Sequence, residues 1–361
     1  MVARRPRDWL PGGAPWCTET MGRRDDGTGG GAPSIWWFAL GYFACYVPYS
    51  ATTKALTSDL LPGREPLSGF ELLPPSVLAS LVGMFAFLTA MRWWPYATQA
   101  RLGRWSVPRP RPLTFISGLC TAVIIGTTTL AYTFDGASIV FMMLLMRGGV
   151  LVLAPVVDFV SGRPVRWFSW VALGLSLLAL IVAFADDGSY ALTAIAAVDV
   201  AAYLGGYFVR LKLMSGQAKS DDPAANKRFF VEEQMVATPA VLLALLAVAV
   251  LGGGEGIAGE LRAGFTTFWG RAGVVPLALF VGLMSQGTGI FGGLILLDRR
   301  ENSFCVPVNR SSSILAGLIA SGILWAGLGA SAPSGAQLVG AGLILAAIGA
   351  LSLPPLLSKD R

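Results

Sequence analysis

Apolar residues recur along this chain in runs of about 20, separated by short polar or glycine-rich links. Ten such runs can be drawn: 34–57, 74–97, 113–134, 138–160, 168–185, 190–210, 234–251, 274–297, 303–327 and 335–357. About 20 apolar residues is the length a helix needs to cross a hydrocarbon core about 30 Å thick. Backbone in lipid must satisfy its own N–H and C=O groups, so each run is expected to be helical. Links as short as Asp135-Gly136 and Asp186-Asp187-Gly188 predict tight antiparallel hairpins. The expected fold class is therefore all-α: a polytopic membrane protein of about ten transmembrane helices, with the lipid bilayer as its first partner.

Composition agrees. Hydrophobic residues make up 54% of the chain and charged residues only 13%, about half the charged share of a soluble domain. That excludes an ordinary soluble enzyme. Residues 1–33 are rich in Gly, Pro and Arg and carry no apolar stretch, so they are expected to be a disordered cytoplasmic tail. No small-residue cleavage site follows the first apolar run, which argues against a cleaved signal peptide.

The net charge of +6 sits in the links between runs, not on a basic face with interleaved aromatics, so no nucleic-acid partner is expected. Its distribution sets the orientation. With the N-terminus in the cytoplasm, 21 of the 27 Lys and Arg residues fall inside, 3 fall outside (Arg64, Arg262, Arg271) and 3 lie within runs. A bias this strong follows the positive-inside rule and needs an even number of spans. Both termini are then cytoplasmic, with 58–73 and 252–272 outside. The Ala, Gly and Arg bias suggests a high-GC genome and hence a bacterial inner membrane.

Chemistry is sparse. There is no histidine, which removes the commonest proton shuttle and metal ligand. Cys17, Cys45, Cys120 and Cys305 form no CxxC and read as packing residues. No GxxxxGK[ST] loop is present, so nucleotide-driven transport has no support. No cofactor or metal is expected.

The two halves repeat each other. Asp135 is followed twelve residues on by Arg147, and Asp298 twelve residues on by Arg310, the pairs 163 positions apart. GLCTAVIIG at 118–126 answers to GLMSQGTGI at 282–290, and Tyr49 with Lys54 answers to Tyr207 with Lys212. Each unit holds five spans, 34–185 and 190–357. Five is odd, so the second copy enters the membrane upside down, which predicts two inverted five-helix repeats and a site near the midplane.

Arg147 and Arg310 fall near the middles of the fourth and ninth runs. An arginine at a helix centre costs about 2.5–3.5 kcal/mol on insertion scales, so two at related positions point to one central cationic cavity. Guanidinium groups grip carboxylate or phosphate through paired hydrogen bonds, so both are candidate substrate ligands, unless acids on neighbouring helices pair with them. Asp199 is the one acid well inside a run and is expected either to pair with one of these arginines or to carry a proton. Asn309, Ser311 and Gln286 are candidate cavity-lining residues. Tyr49, Lys54 and Tyr203 are weaker candidates, since tyrosine stripes pack and terminal lysines snorkel.

The 5+5 layout with both ends inside, and the segment MLLMRGGVLVLAPVVDFVSGRPVRWFSWVALGL at 143–175, resemble the drug/metabolite transporter superfamily. The arginine within the MLxxRG helix is similar to the nucleotide-sugar-transporter-like branch. The acidic residue usual in the turn of simple EamA-like exporters is absent at Gly162-Arg163, a departure from that branch. The resemblance covers 34–357 and implies alternating access between two five-helix bundles.

The expected function is secondary transport of small organic solutes that are anionic: phosphorylated, nucleotide-linked or carboxylate metabolites. One alternative is export of neutral or amphipathic metabolites with structural arginines. A distant one is a membrane transferase, which the missing histidine and the unpatterned inner loop 211–233 disfavour, so no enzyme is expected. A homodimer is compatible with the sequence.

Overall fold

The structure is a computed structural model, and it describes residues 35–58, 60–61, 65–130, 139–185, 194–219, 222–330, 332 and 335–357. The tail at 1–33 and the links Asp135-Gly136 and Asp186-Asp187-Gly188 lie outside the described residues. Among those described there are eleven α-helices: α1 (Ile35–Thr57), α2 (Gly69–Ala90), α3 (Pro112–Leu130), α4 (Ile139–Val160), α5 (Trp167–Ala185), α6 (Ala194–Gln217), α7 (Pro223–Leu251), α8 (Gly256–Phe265), α9 (Val275–Leu296), α10 (Asn302–Leu328) and α11 (Gly335–Leu357). Each of the ten apolar runs holds one of them, and α8 is additional.

Four helical stretches among the described residues are long and apolar enough to cross a membrane: Gly69–Ala90, Ala224–Leu251, Val275–Leu296 and Asn302–Leu328. Three shorter apolar stretches are Pro112–Thr128, Trp167–Val182 and Leu338–Leu351. Their outward faces carry bulky apolar side chains, as at Leu113, Phe115, Ile116 and Leu119 of α3 and Leu243, Leu246 and Val250 of α7. Contiguous apolar surface on this scale suits hydrocarbon and not water.

Three boundaries differ from expectation for local reasons. The second run, drawn from Pro74, starts as a helix at Gly69. Ser68 caps it, accepting from the Phe70 N–H at 3.2 Å, and its hydroxyl donates to Glu260. The run also ends early, at Ala90, and a 3-10 turn (Trp94–Tyr96) follows. The link after it forms a hairpin of β1 (Gln99–Leu102) with β2 (Trp105–Pro108), closed by a two-residue turn whose first residue, Gly103, has φ +64°. A glycine in that place suits a tight hairpin. The seventh run, drawn from 234, begins as a helix at Pro223 with Asp222 as its cap. The inner loop expected over 211–233 is therefore mostly helix, shared between α6 and α7.

The links gather at two ends. At one end Glu232 of α7, fully buried, accepts from the Thr98 N–H and hydroxyl, the Arg111 N–H and Nε, and the Thr114 hydroxyl. Beside it Glu233 takes a bidentate pair from Arg210 at 2.8 and 2.9 Å, plus the Ser117 and Thr121 hydroxyls. On the same end Asp158 of α4 accepts from the backbone N–H groups of Asn302 and Ser303, capping α10 from a neighbouring helix. At the other end the Leu67 N–H donates to the Leu56 carbonyl, and Glu71 pairs with Arg271 at 3.1 Å.

Packing between helices follows a pattern. α1 packs on α9 and α10, and α6 packs on α3 and α4; α2 meets α9, and α3 meets α7; α4 meets α5, and α10 meets α11. α2 with α7, α4 with α10, and α5 with α11 complete it. α10 touches α1, α4, α5, α9 and α11, and every residue from Asn302 to Ser313 is buried.

Candidate functional site

Arg310 stands eight residues into α10, the helix with the most helical neighbours, and is 9% exposed. Its Nη2 lies 3.5 Å from the Tyr203 hydroxyl, and its guanidinium carbon 5.0 Å from the centre of the Tyr207 ring. Its Nε is buried with no acceptor. The described partners of Arg310 are neutral, so no carboxylate among them cancels its charge.

Arg147 of α4 is half-buried, and its Nη2 donates to the Tyr46 hydroxyl of α1 at 3.0 Å. Tyr46 stacks on Tyr42 one turn away, ring centres 5.5 Å apart, and Tyr203 and Tyr207 pair at 4.9 Å on α6. Tyr42 and Tyr203 each lie within electrostatic reach of both arginines. The two guanidinium groups and four tyrosines therefore form one cluster where α1, α4, α6 and α10 meet. A phenol holds a guanidinium through its hydroxyl or its ring face without neutralising it, so the described partners of Arg310 leave its charge uncancelled.

The other expected residues divide. Tyr203 belongs to the cluster. Asn309 is buried on the same helix as Arg310, its amide and the Tyr42 ring both bordering Gly292. Ser311 is fully buried and its hydroxyl has no partner. Gln286 is buried between α9 and α2 beside Gly83, where no described contact joins it to the arginines. Tyr49 meets Tyr46 edge-on at 5.6 Å, then packs toward the small apolar group of Leu56, Leu67 and Phe268 at the end of the bundle. Lys54 is exposed at the end of α1 and takes no place in the cluster.

Of the two readings open for Asp199, the ion pair is not formed. Asp199 is 6% exposed, yet both carboxylate oxygens lack a hydrogen-bond partner, so it pairs with neither Arg147 nor Arg310. Tyrosines fill the place expected of an acid. Tyr42, Tyr46 and Tyr207 stand in the stripes that the sequence favours as packing, and the structure puts them around the arginines. The i, i+4 spacing of these tyrosines on α1 and α6 was the available signal.

No protein-family model matches this chain, and no curated protein matches it. Twenty-seven solved chains match its architecture. One, described only as a "crystal structure of protein", is similar at a TM-score of 0.50 and 17% identity, over 88% of this chain and 98% of its own. At that identity the likeness is one of fold.

Proposed function

We propose that this protein is a secondary transporter of small organic anions, built as two inverted five-helix halves, 34–185 and 190–357, in the manner of the drug/metabolite transporter superfamily. Its cargo class is phosphorylated, nucleotide-linked or carboxylate metabolites, and both its termini are cytoplasmic.

Three observations support the duplicated architecture. Exchanging α1–α5 for α6, α7, α9, α10 and α11 turns the main helix pairs into one another: α1 on α9 becomes α6 on α3, and α2 on α9 becomes α7 on α3. Close contacts follow the same exchange. Gly118 of α3 lies against Glu233 and Val236 of α7, and Gly282 of α9 lies against Ser76 and Ala79 of α2. Ser76 and Glu233 are 157 positions apart, as are Ala79 and Val236, and Tyr46 and Tyr203. Finally, the fourth-span arginine of each half meets a first-span tyrosine of its own half. Inverted repeats of this kind place substrate near the bilayer midplane.

The observation that carries the anion assignment is the buried Nε of Arg310, a charged donor with no acceptor. A guanidinium away from water is costly without a partner. An anion entering among Arg310, Arg147 and the tyrosines supplies one, and leaves when access switches. Uptake into proteoliposomes tests this with a panel of phosphorylated, nucleotide-linked and carboxylate solutes. At least one class should enter through the wild-type protein and none through Arg310→Ala. Arg310→Lys keeps charge but loses the planar fork, so anion affinity should fall by about 1–3 kcal/mol. Unchanged uptake in both variants defeats the anion assignment.

A second reading rests on the aromatic surface. Tyr42, Tyr46, Tyr203 and Tyr207 also suit a neutral or amphipathic solute, with the arginines serving to hold the tyrosines. In that case Arg310→Ala lowers the thermal midpoint and leaves export of such solutes intact.

A further inference from the structure

Away from the arginine–tyrosine cluster, a second cationic cavity lies where the α4–α5, α6–α7 and α9–α10 links meet. Its volume is about 460 Å³, and Arg163, Arg166, Lys219, Arg299, Arg300 and Glu301 line it. Five cations stand against Glu301 and the adjoining Asp298, a formal excess of +3.

Two of the cations, Arg163 and Lys219, are held by neutral groups. Arg163 donates to the carbonyls of Arg299, Ser215 and Lys219, each at 3.2 Å, so one guanidinium ties all three links together. Lys219 is 4% exposed; its Nζ donates to the Leu296 carbonyl at 2.8 Å and faces the Cys305 sulfur. Carbonyls orient these cations without cancelling them. Glu301 is already engaged: Arg166 grips it at 2.9 and 2.7 Å, and Ser169 donates to it at 2.8 Å. Arg300 lies 3.6 Å from Asp298 and rests over the Phe304 ring at 4.8 Å. Like charges gathered on one wall repel. A site of oriented guanidinium and ammonium donors around an open volume matches the oxygens of a phosphate group.

We propose that this cavity binds a phosphate group, carried either by an anionic lipid headgroup or by a soluble organic phosphate. Basic pockets at helix ends suit both sources. The site is separate from the Arg147–Arg310 cluster and does not depend on the transport assignment.

The experiment uses the full chain in nanodiscs. Thermal midpoints are measured in zwitterionic discs with added inorganic phosphate or glycerol 3-phosphate, and in discs containing phosphatidylglycerol or phosphatidic acid. A rise with the soluble phosphates identifies a soluble ligand, and a rise with the anionic discs alone identifies a headgroup. Either supports the site if the R299Q/R300Q double variant weakens binding at least tenfold while R310Q does not. That variant leaves the Arg163 ties in place, since Arg163 donates to backbone. R163Q provides a second reading: phosphate affinity should fall even where the thermal midpoint also drops. No midpoint rise with any phosphate source overturns the proposal, as does equal binding by wild type and R299Q/R300Q. Loss of uptake in R310Q with phosphate binding retained separates this site from the transport site.

Discussion

The Arg310 guanidinium lies over the face of the Tyr207 ring, 5.0 Å from its centre, while Tyr203, one turn earlier on α6, presents its hydroxyl 3.5 Å from Nη2. The arginine is thus held from below by a ring and from the side by a hydroxyl, both neutral. On the other half Arg147 has the Tyr46 hydroxyl at 3.0 Å, and Tyr46 stacks on Tyr42. An anion that reaches both arginines finds charge already oriented, with little reorganisation needed at the moment of binding.

The ring face and the hydroxyl of Tyr207 make separable contributions. Tyr207→Phe loses a hydroxyl within hydrogen-bond reach of Arg310 and Tyr203 and should lower the thermal midpoint slightly, but it keeps the face. Tyr207→Leu removes it and should destabilise by about 1–2 kcal/mol, the range for a desolvated cation–π contact. Equal midpoints for the Phe and Leu variants would show that the ring face does not hold Arg310.

Asp199 gives a contrasting expectation. Its carboxylate is buried and accepts no hydrogen bond, so Asp199→Asn removes no partner and should fold with an unchanged or higher midpoint. If the carboxyl takes up and releases a proton during transport, uptake by the Asn variant should lose its dependence on a pH gradient. A fall in midpoint of the size seen when a buried pair is broken, about 3–5 kcal/mol, would instead mean that Asp199 has an ionic partner.

Much of the helical layout was legible because lipid imposes a length and an apolar composition that a sequence displays directly. What escaped is where polar residues are satisfied far along the chain. Lys227, Arg228, Glu232 and Glu233 read as a loop, yet they begin α7, because Thr98, Arg111, Ser117 and Arg210 meet the two glutamates. Pro74 and Pro75 read as a helix start, although α2, capped by Ser68, begins at Gly69, five residues before Pro74. The short α8 has neither the length nor the apolar content of a span. In the site, matching places in the two repeats and depth within their runs pointed to Arg147 and Arg310. Their tyrosine partners were visible as stripes but read as packing, because an acid was expected beside each arginine and tyrosines commonly pack.

Acid should loosen the link end of the bundle. Burial alone would raise the Glu301 carboxyl, but hydrogen bonds from Arg166 and Ser169 outweigh it and hold it below the usual glutamate range. A group depressed in the folded state gives stability that is full above its unfolded value, about pH 4.3, and lost as pH falls through the folded value. The thermal midpoint should therefore hold steady from neutral pH to about 5 and decline below about 4. Glu301→Gln should lower the midpoint at neutral pH and flatten the acid decline. Acid limbs of equal steepness in the variant and wild type would remove Glu301 from this account.

Gly118 and Gly282 test the equivalence of the two halves most directly. A Cβ built on Gly118 would stand 2.6 Å from the Val236 Cβ and 2.9 Å from the Glu233 carbonyl oxygen. One built on Gly282 would collide with the Ser76 carbonyl oxygen and stand 2.7 Å from the Ala79 Cβ. Backbone carbonyls in packed helices cannot rotate aside as a flexible side chain can, so each alanine must push two helices apart. Overpacking of this kind costs about 1–3 kcal/mol. The Ser80 hydroxyl also donates to the Gly282 carbonyl at 2.7 Å, a bond that such a shift would lengthen. Gly282→Ala should therefore be the costlier variant, with Gly118→Ala close behind and a control such as Gly174→Ala, which meets nothing within 4 Å, near neutral. If the halves move against each other during transport, both tight variants should slow uptake as well, since α2–α9 and α3–α7 are contacts that join one half to the other. Full stability and full uptake in Gly118→Ala alongside a crippled Gly282→Ala would break the equivalence, and with it the inverted-repeat assignment.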